Sequence, residues 1–149
     1  MLNFLTTNNI MDIAGLDEKF SSMIGEQMDI QDMLKPLERR MTVLKKHIEQ
    51  ADIYLVYKGK KELTDMEKDL FTEAHGYLKG VLNGRTTLPV KAWKEEYAKL
   101  TADRKTLNKR YLALKDEVKE AEQIRRSVYS IVRQEQRERQ HRRDQGEEL

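Results

Sequence analysis

The sequence predicts an all-α fold, in which two long helices form an antiparallel coiled-coil hairpin and a shorter helix packs at one end. The main observation is a pair of apolar repeats with alternating steps of four and three residues, because an average step of 3.5 residues keeps one helix face turned toward a partner helix. The first seam comprises Leu16, Phe20, Met23, Gln27, Ile30, Leu34, Leu37, Met41, Leu44, Ile48, Ala51 and Leu55. The second seam comprises Trp93, Tyr97, Leu100, Arg104, Leu107, Tyr111, Leu114, Val118 and Ala121. Only seven glycines and two prolines occur in 149 residues, which disfavours folds built from strands and tight turns.

The first predicted helix covers residues 13–57. Asp12 precedes it and can act as N-cap, since its carboxylate can accept hydrogen bonds from the free amides of the first turn. Pro36 lies inside it and removes one backbone donor. The apolar repeat keeps its phase through Pro36, so we expect one kinked helix, with a break into two segments as the alternative. Gly59 follows and can supply a left-handed cap.

The second predicted helix covers residues 64–82 and the third covers about residues 89–140, with a continuation past Gln140 as the alternative. Thr64 and Glu67 have the spacing of a capping box, and Asn83–Gly84 is a typical helix end. Pro89 suits the first turn of the third helix. After Ala121 the apolar phase shifts by one step of three, and Ile124, Val128 and Ile131 continue it, as in a coiled-coil stammer.

The sequence predicts a boundary after residue 132 between a helical domain and a C-terminal tail. Residues 1–132 form the helical domain, and residues 133–149 form a charged tail that is partly disordered, because no apolar residue occurs between Val132 and Leu149. The third helix is expected to extend past the start of the first. Val128, Ile131 and Val132 would then lack cover from the same chain, which favours association with a second copy.

Charge is distributed unevenly along the chain, although the net charge is only +2. Residues 1–75 hold ten Lys and Arg against fourteen Asp and Glu, whereas residues 76–149 hold eighteen against twelve. Opposite net charges favour antiparallel pairing of the two halves, and the basic half could meet phosphates. Without cysteine, a secretion signal or an apolar run of membrane-spanning length, the chain is expected to be soluble and cytoplasmic, with no membrane partner.

The sequence offers no recognisable catalytic constellation. His47, His75 and His141 are far apart and form no paired metal-binding motif, so each is better explained as a satisfied or exposed side chain. Phosphate-binding and nucleophile-elbow motifs are missing. The tyrosines could in principle act as nucleophiles, but Tyr97 and Tyr111 fall on the second seam, where packing explains them. We therefore expect a non-enzyme without cofactor, metal or small-molecule substrate.

Basic side chains form one candidate interaction site. Five of them project within about 40° of one another on the third helix, roughly 130° from the second seam and along about 33 Å of helix. They are Lys115, Lys119, Arg126, Arg133 and Arg137, and we call them the basic stripe. Such a stripe could contact DNA phosphates without reading sequence. The alternative is an ordinary solvated face, which the interleaved Glu122, Glu135 and Glu138 favour.

Three segments together resemble a protein family. They are RRMTVLKKHIEQADIYLVYKGKKEL (39–63), HGYLKGVLNGRTTLPVKAWKEEYAKL (75–100) and LKDEVKEAEQIRRSVYSIVRQEQRERQ (114–140). They are similar to the C-terminal helical region of relaxases, the mobilisation nucleases of plasmids and conjugative transposons. The opening LNFLTTNNIMDIAGLDEKF also resembles the segment that leads into that region. NGRTTLPVKAWK and EQIRRSVYSI are the more specific parts of the match.

The resemblance implies a place in the DNA mobilisation machinery without the nicking activity. In relaxases a tyrosine and a histidine-held metal act in an N-terminal nuclease domain, and the residues of this chain offer no counterpart to that histidine cluster. The expected function is thus a non-catalytic helical interaction module, whose partners are relaxosome proteins, a second copy of the chain or DNA bound non-specifically. A general structural coiled-coil protein unrelated to DNA transfer is the alternative.

Overall fold

Three α-helices make up nearly all of the part of the chain that the structure describes. A computed structural model describes residues 13–147, in which α1 is Ile13–Lys58, α2 is Asp65–Leu82 and α3 is Val90–Glu147. No residue between 13 and 147 belongs to a β-strand. The all-α prediction and its three-helix order are therefore confirmed, and the predicted starts of the helices agree within one residue.

The chain divides into two compact units, each of which takes part of both long helices. Unit 1 combines the described residues of Met1–Gln31 and Lys109–Leu149, and unit 2 is Asp32–Asn108. Unit 2 also contains α2 and both connecting segments.

In unit 1, the two long helices pack against each other in opposite directions. The buried side chains are Leu16, Met23 and Ile30 from α1, and Leu114, Ala121 and Ile124 from α3. Two ion pairs across the interface show the relative direction of the helices. Glu26 pairs with Arg110. Asp17 precedes Glu26 in α1, and it pairs with Arg125, which follows Arg110 in α3. Residue numbers increase along α1 in the direction in which they decrease along α3, so the two helices pack antiparallel.

In unit 2, the short helix α2 joins the two long helices and thickens the core. Leu44 and Ala51 from α1, Leu78 from α2 and Trp93 from α3 form one buried cluster. Partly buried residues surround it, including the aromatic residues Tyr54, Tyr77 and Tyr97. The expected packing of α2 against the long helices is thus confirmed.

The two predicted seams match the observed burial closely. Every member of the second seam is buried or half-buried, and so is every member of the first except Leu55, which is 50% exposed. Ile124 is buried, as the predicted shift after Ala121 requires. Of the three residues expected to lack cover from the same chain, Ile131 is 55% exposed, but Val128 and Val132 are half-buried, so that expectation is wrong for the two valines. The seams therefore identify the packed faces correctly, and supercoiling of the two helices stays a prediction.

Helix ends follow the capping chemistry with one exception. The Thr64 hydroxyl accepts from the Glu67 amide at 3.2 Å, while the Glu67 carboxylate accepts from the Thr64 amide at 3.1 Å, so the capping box is confirmed. Asn83 is left-handed, with φ of 47°, and ends α2 as predicted. Gly59 does not adopt a left-handed conformation, so its predicted role is wrong, and a tight turn from the Lys60 amide to the Tyr57 carbonyl follows α1 instead. The predicted cap Asp12 lies outside the described residues.

Two further expectations concern helix continuity. α1 passes through Pro36 without interruption, so the alternative of two separate segments is wrong. α3 continues seven residues past its predicted end at residue 140 and so includes most of the segment assigned to a charged tail. Arginine, glutamine and glutamate are good helix formers even without apolar neighbours. Pairs one turn apart, such as Gln140 with Asp144, add hydrogen bonds along this segment.

Candidate functional site

The basic stripe lies on the solvent-facing side of α3 in unit 1. All five of its side chains are exposed, as the projection from the second seam predicted. Exposure on one helix face leaves their charges accessible to a large anion. Whether any anion binds them stays a prediction.

Acidic neighbours weaken one part of the stripe. The Arg126 guanidinium donates to the Glu122 carboxylate at 2.6 Å, one helical turn away. Along the helix axis Glu122 lies between Lys119 and Arg126, at the edge of the stripe, and so partly neutralises its middle. Among the described side chains, no carboxylate lies within ion-pair distance of Lys115, Lys119 or Arg137.

Arg125, the immediate neighbour of Arg126, has a different role. Its guanidinium donates to Asp17 at 2.8 Å and lies over the rings of Phe20 and Tyr129, at 5.2 and 5.6 Å from their centroids. The Tyr129 hydroxyl donates to the other Asp17 oxygen at 2.6 Å, and this bond raises the pKa of Tyr129. Asp17 therefore holds both α3 side chains against α1.

The contact of Asp17 with Arg125 and Tyr129 was not predicted from the sequence. Each lies beside a seam residue, and positions flanking the seams of a coiled coil often pair across the interface. That signal could have identified the group, but many charged residues of this chain flank a seam. Only the register of α3 against α1 determines which of these charged residues lie opposite each other.

The last part of α3 is the most exposed segment of unit 1. Every described side chain from Arg133 to residue 146 is exposed. This segment holds five arginines against three acidic residues. Arg133 and Arg137 belong to the basic stripe, so the stripe continues into the most exposed and most arginine-rich part of the helix.

Two of the three histidines contact aromatic rings in unit 2. His47 is half-buried, and its Nδ1 lies 2.7 Å from the Tyr77 hydroxyl and its ring 4.9 Å from the Trp93 ring. Burial, and secondarily the nearby Arg40 guanidinium, lower the pKa of His47, and burial raises the pKa of Tyr77. The prediction that this histidine is a satisfied side chain is confirmed.

A bidentate ion pair lies next to this group. Arg40 donates to both oxygens of Glu96, at 2.8 and 3.0 Å, and thereby lowers the pKa of Glu96. The pair joins α1 to α3 within unit 2, and about 40% of each side chain is exposed. Its position beside the core indicates a role in helix pairing.

Among the described residues there is neither a metal-binding cluster nor a membrane-spanning helix. Within residues 13–147, no three His, Asp or Glu side chains converge in a way that could hold a metal ion. No helix in that range has a stretch both long and apolar enough to cross a bilayer.

Comparison with known proteins gives no further identification. No protein-family model, no curated protein and no solved structure matches this chain significantly.

Proposed function

We propose that this chain is a non-catalytic, cytoplasmic helical interaction module of the DNA mobilisation machinery. Its long helices would bind proteins of the relaxosome, and the basic stripe would contact DNA phosphates without reading sequence. The observation that carries the proposal is the exposed, arginine-rich surface of α3 in unit 1, which continues from Arg126 to Arg143. The connection to DNA transfer rests on the resemblance of three segments to relaxases.

Charge chemistry supports the DNA contact. Arginine and lysine bind phosphates through a sequence-independent interaction that releases counterions, and such binding weakens steeply as salt rises. Lys115, Lys119 and Arg137 have no carboxylate partner among the described side chains, so contact with DNA would break no ion pair there. Arg126 would have to leave Glu122 or share its guanidinium with it.

The DNA contact can be tested with a labelled duplex and fluorescence anisotropy. We expect a dissociation constant of about 10⁻⁴–10⁻⁶ M at physiological salt, equal for transfer-origin DNA and for a scrambled duplex. Converting Arg126, Arg133 and Arg137 to Gln should weaken binding to both duplexes and reduce the slope against the logarithm of salt by up to about 3.

A matched control variant removes three positive charges from another part of the protein. Arg39, Lys45 and Lys105 are exposed and belong to unit 2, so converting them to Gln lowers the net charge equally without touching the stripe. The DNA proposal fails if both triple variants lose affinity equally. It also fails if the unaltered protein shows no binding at about 50 mM salt.

A role in DNA mobilisation needs a separate test. In a donor that carries the encoding mobile element, deletion of this coding region should lower transfer frequency at least about tenfold, and expression of the chain in trans should restore it. Co-purification with the element's own relaxosome proteins should accompany that loss. Unchanged transfer would favour the alternative, a structural coiled-coil protein unrelated to DNA transfer.

Self-association is the remaining partner hypothesis. Ile131 is 55% exposed on α3 and could be covered by a second copy. Sedimentation equilibrium should then show a dimer that Ile131→Asp dissociates, whereas Leu112→Asp, at a similarly exposed leucine, should leave it intact. A monomer at all concentrations would exclude this hypothesis.

A further inference from the structure

We infer that a pocket in unit 2 is a binding site for a nucleotide, either free or as a unit of a single strand. The pocket lies among the end of α1, one side of α2 and the segment that connects α2 to α3, and its volume is about 470 Å³. That volume lies within the usual range for small-ligand sites. None of its residues belongs to the basic stripe, so the inference is independent of the proposed function.

The charge of the pocket selects an anion. Its lining includes Lys58, Lys79 and Arg85 and contains no aspartate or glutamate. All three cations are exposed at the pocket, and none of them has an ion-pair partner among the described side chains. Thr86 and Thr87 add two hydroxyl groups beside them. Three cations and two hydroxyls are the donors that commonly bind a phosphate group.

Aromatic rings select a ligand that also has a planar ring. Tyr54 and His75 line the pocket, and their rings stack at 5.7 Å between centroids with an angle of 15°. Phe71 stacks on Tyr54 at 5.3 Å and lies nearly parallel to His75. His75 is exposed, so its ring can take a further stacking partner. Stacking on aromatic side chains next to cations is how proteins hold nucleobases without reading their sequence.

The apolar part of the lining completes the fit. Leu78 forms a buried part of the wall, and Leu55, Leu82 and Leu88 contribute further apolar surface. Lys58 already lies over the Tyr54 ring, at 5.6 Å from its centroid, and so places a charge beside the stacked rings. A phosphate bound by the cations would put the attached sugar and base over this apolar and aromatic wall. Inorganic phosphate would use only half of the site.

Calorimetric titration of the full chain with thymidine 5′-monophosphate, a thymidine hexanucleotide and inorganic phosphate tests the inference. We expect the mononucleotide to bind at least about fivefold more tightly than phosphate, because base stacking adds to the charge interaction. His75→Ala should remove that difference and leave phosphate binding unchanged. Converting Lys58, Lys79 and Arg85 to Gln should weaken all three ligands at least about tenfold.

A second triple variant separates this pocket from the general charge of the protein. Lys61, Lys68 and Lys91 are exposed, belong to unit 2 and lie outside the pocket lining, so converting them to Gln provides the control. This variant should keep full affinity for the mononucleotide. Circular dichroism of every variant should match the unaltered protein, because each substituted side chain is exposed.

The two sources of the nucleotide give different results. If the site takes a free nucleotide, the mononucleotide should bind as tightly as the hexanucleotide. If it takes a unit of a single strand, the hexanucleotide should bind at least about tenfold more tightly, and the pocket variant should abolish that gain. The inference is overturned by no binding of either at millimolar concentration, by equal losses in the two triple variants, or by a His75→Ala variant that binds the mononucleotide normally.

Discussion

Leu114 and Leu112 provide a direct test of the packed face of α3. Both are leucines of the same helix, two residues apart, but Leu114 is completely buried and Leu112 is 59% exposed. Replacing Leu114 by Ala removes three carbon atoms from the interface with α1, worth about 2.4 kcal/mol at roughly 0.8 kcal/mol for each buried carbon group. A residual cavity adds to this loss, although the narrow contact between two helices can close part of it. We expect the free energy of unfolding to fall by about 2.5–3.5 kcal/mol.

Urea unfolding followed by circular dichroism at 222 nm measures the difference. With a slope of about 2 kcal/mol per molar urea, Leu114→Ala should lower the unfolding midpoint by about 1–2 M. Leu112→Ala should change the free energy of unfolding by no more than about 0.5 kcal/mol, as is usual for exposed positions. Equal losses at the two positions would refute the assignment of the packed face. A larger loss at Leu112 that depends on protein concentration would indicate that a second copy covers that side of the helix.

Three further predictions concern the helix cap, the half-buried histidine and the ion pair of unit 2. Thr64→Ala should cost about 1 kcal/mol of unfolding free energy by removing the capping box, whereas Thr72→Ala, inside the same helix, should be neutral or slightly stabilising in the same urea experiment. Because burial lowers the pKa of His47, the unfolded chain binds a proton more readily than the folded chain does. Stability should therefore fall as pH decreases from about 6.5 to 5, and His47→Gln should reduce that dependence. A double-mutant cycle on Arg40 and Glu96 should give a coupling below about 1 kcal/mol that decreases with added salt, since both side chains are about 40% exposed.

Apolar periodicity predicted most of the fold because each apolar residue has to be buried away from water, whichever residues it packs against. Leu16, Leu44 and Leu114 must avoid water whatever their partner is, so spacing along the chain reveals the buried face. Capping chemistry is similarly local, and Thr64 and Asn83 were identified correctly for that reason. Leu55 continues the first seam in the sequence but is half-exposed, because the repeat identifies a helix face without showing how far a partner covers it.

The C-terminal end of α3 was predicted too early, because the composition of this segment favours disorder whereas the helix propensity of its residues favours a helix. A segment without apolar residues gains nothing from burial, which favours disorder in an isolated chain. The same residues are strong helix formers, and a preceding helix removes the cost of nucleation. Hydrogen bonds one turn apart, such as that from Arg133 to the Tyr129 carbonyl, follow once the helix is continued. No proline or glycine lies near residue 140, so no residue there ends the helix.

The pocket of unit 2 was not predictable because its residues come from separate segments. Lys58, Lys79 and Arg85 lie in α1, α2 and the following connection, and no motif joins them in the sequence. Each one alone is an ordinary solvated cation near a helix end. Only the packing of α2 against α1 brings their charges together beside the Tyr54 and His75 rings.

Helix register also decides which arginines of α3 can reach a partner. Arg125 and Arg126 are neighbours of the same residue type, but they project about 100° apart. Arg125 faces α1 and is held by Asp17, whereas Arg126 faces solvent and retains only a neighbour of its own helix, Glu122. Moving α3 by one residue relative to α1 would place Arg126 opposite Asp17 and Arg125 at the position where Ile124 is now buried. The antiparallel register that buries the seams thus also determines which charges hold the helices together and which stay exposed to solvent.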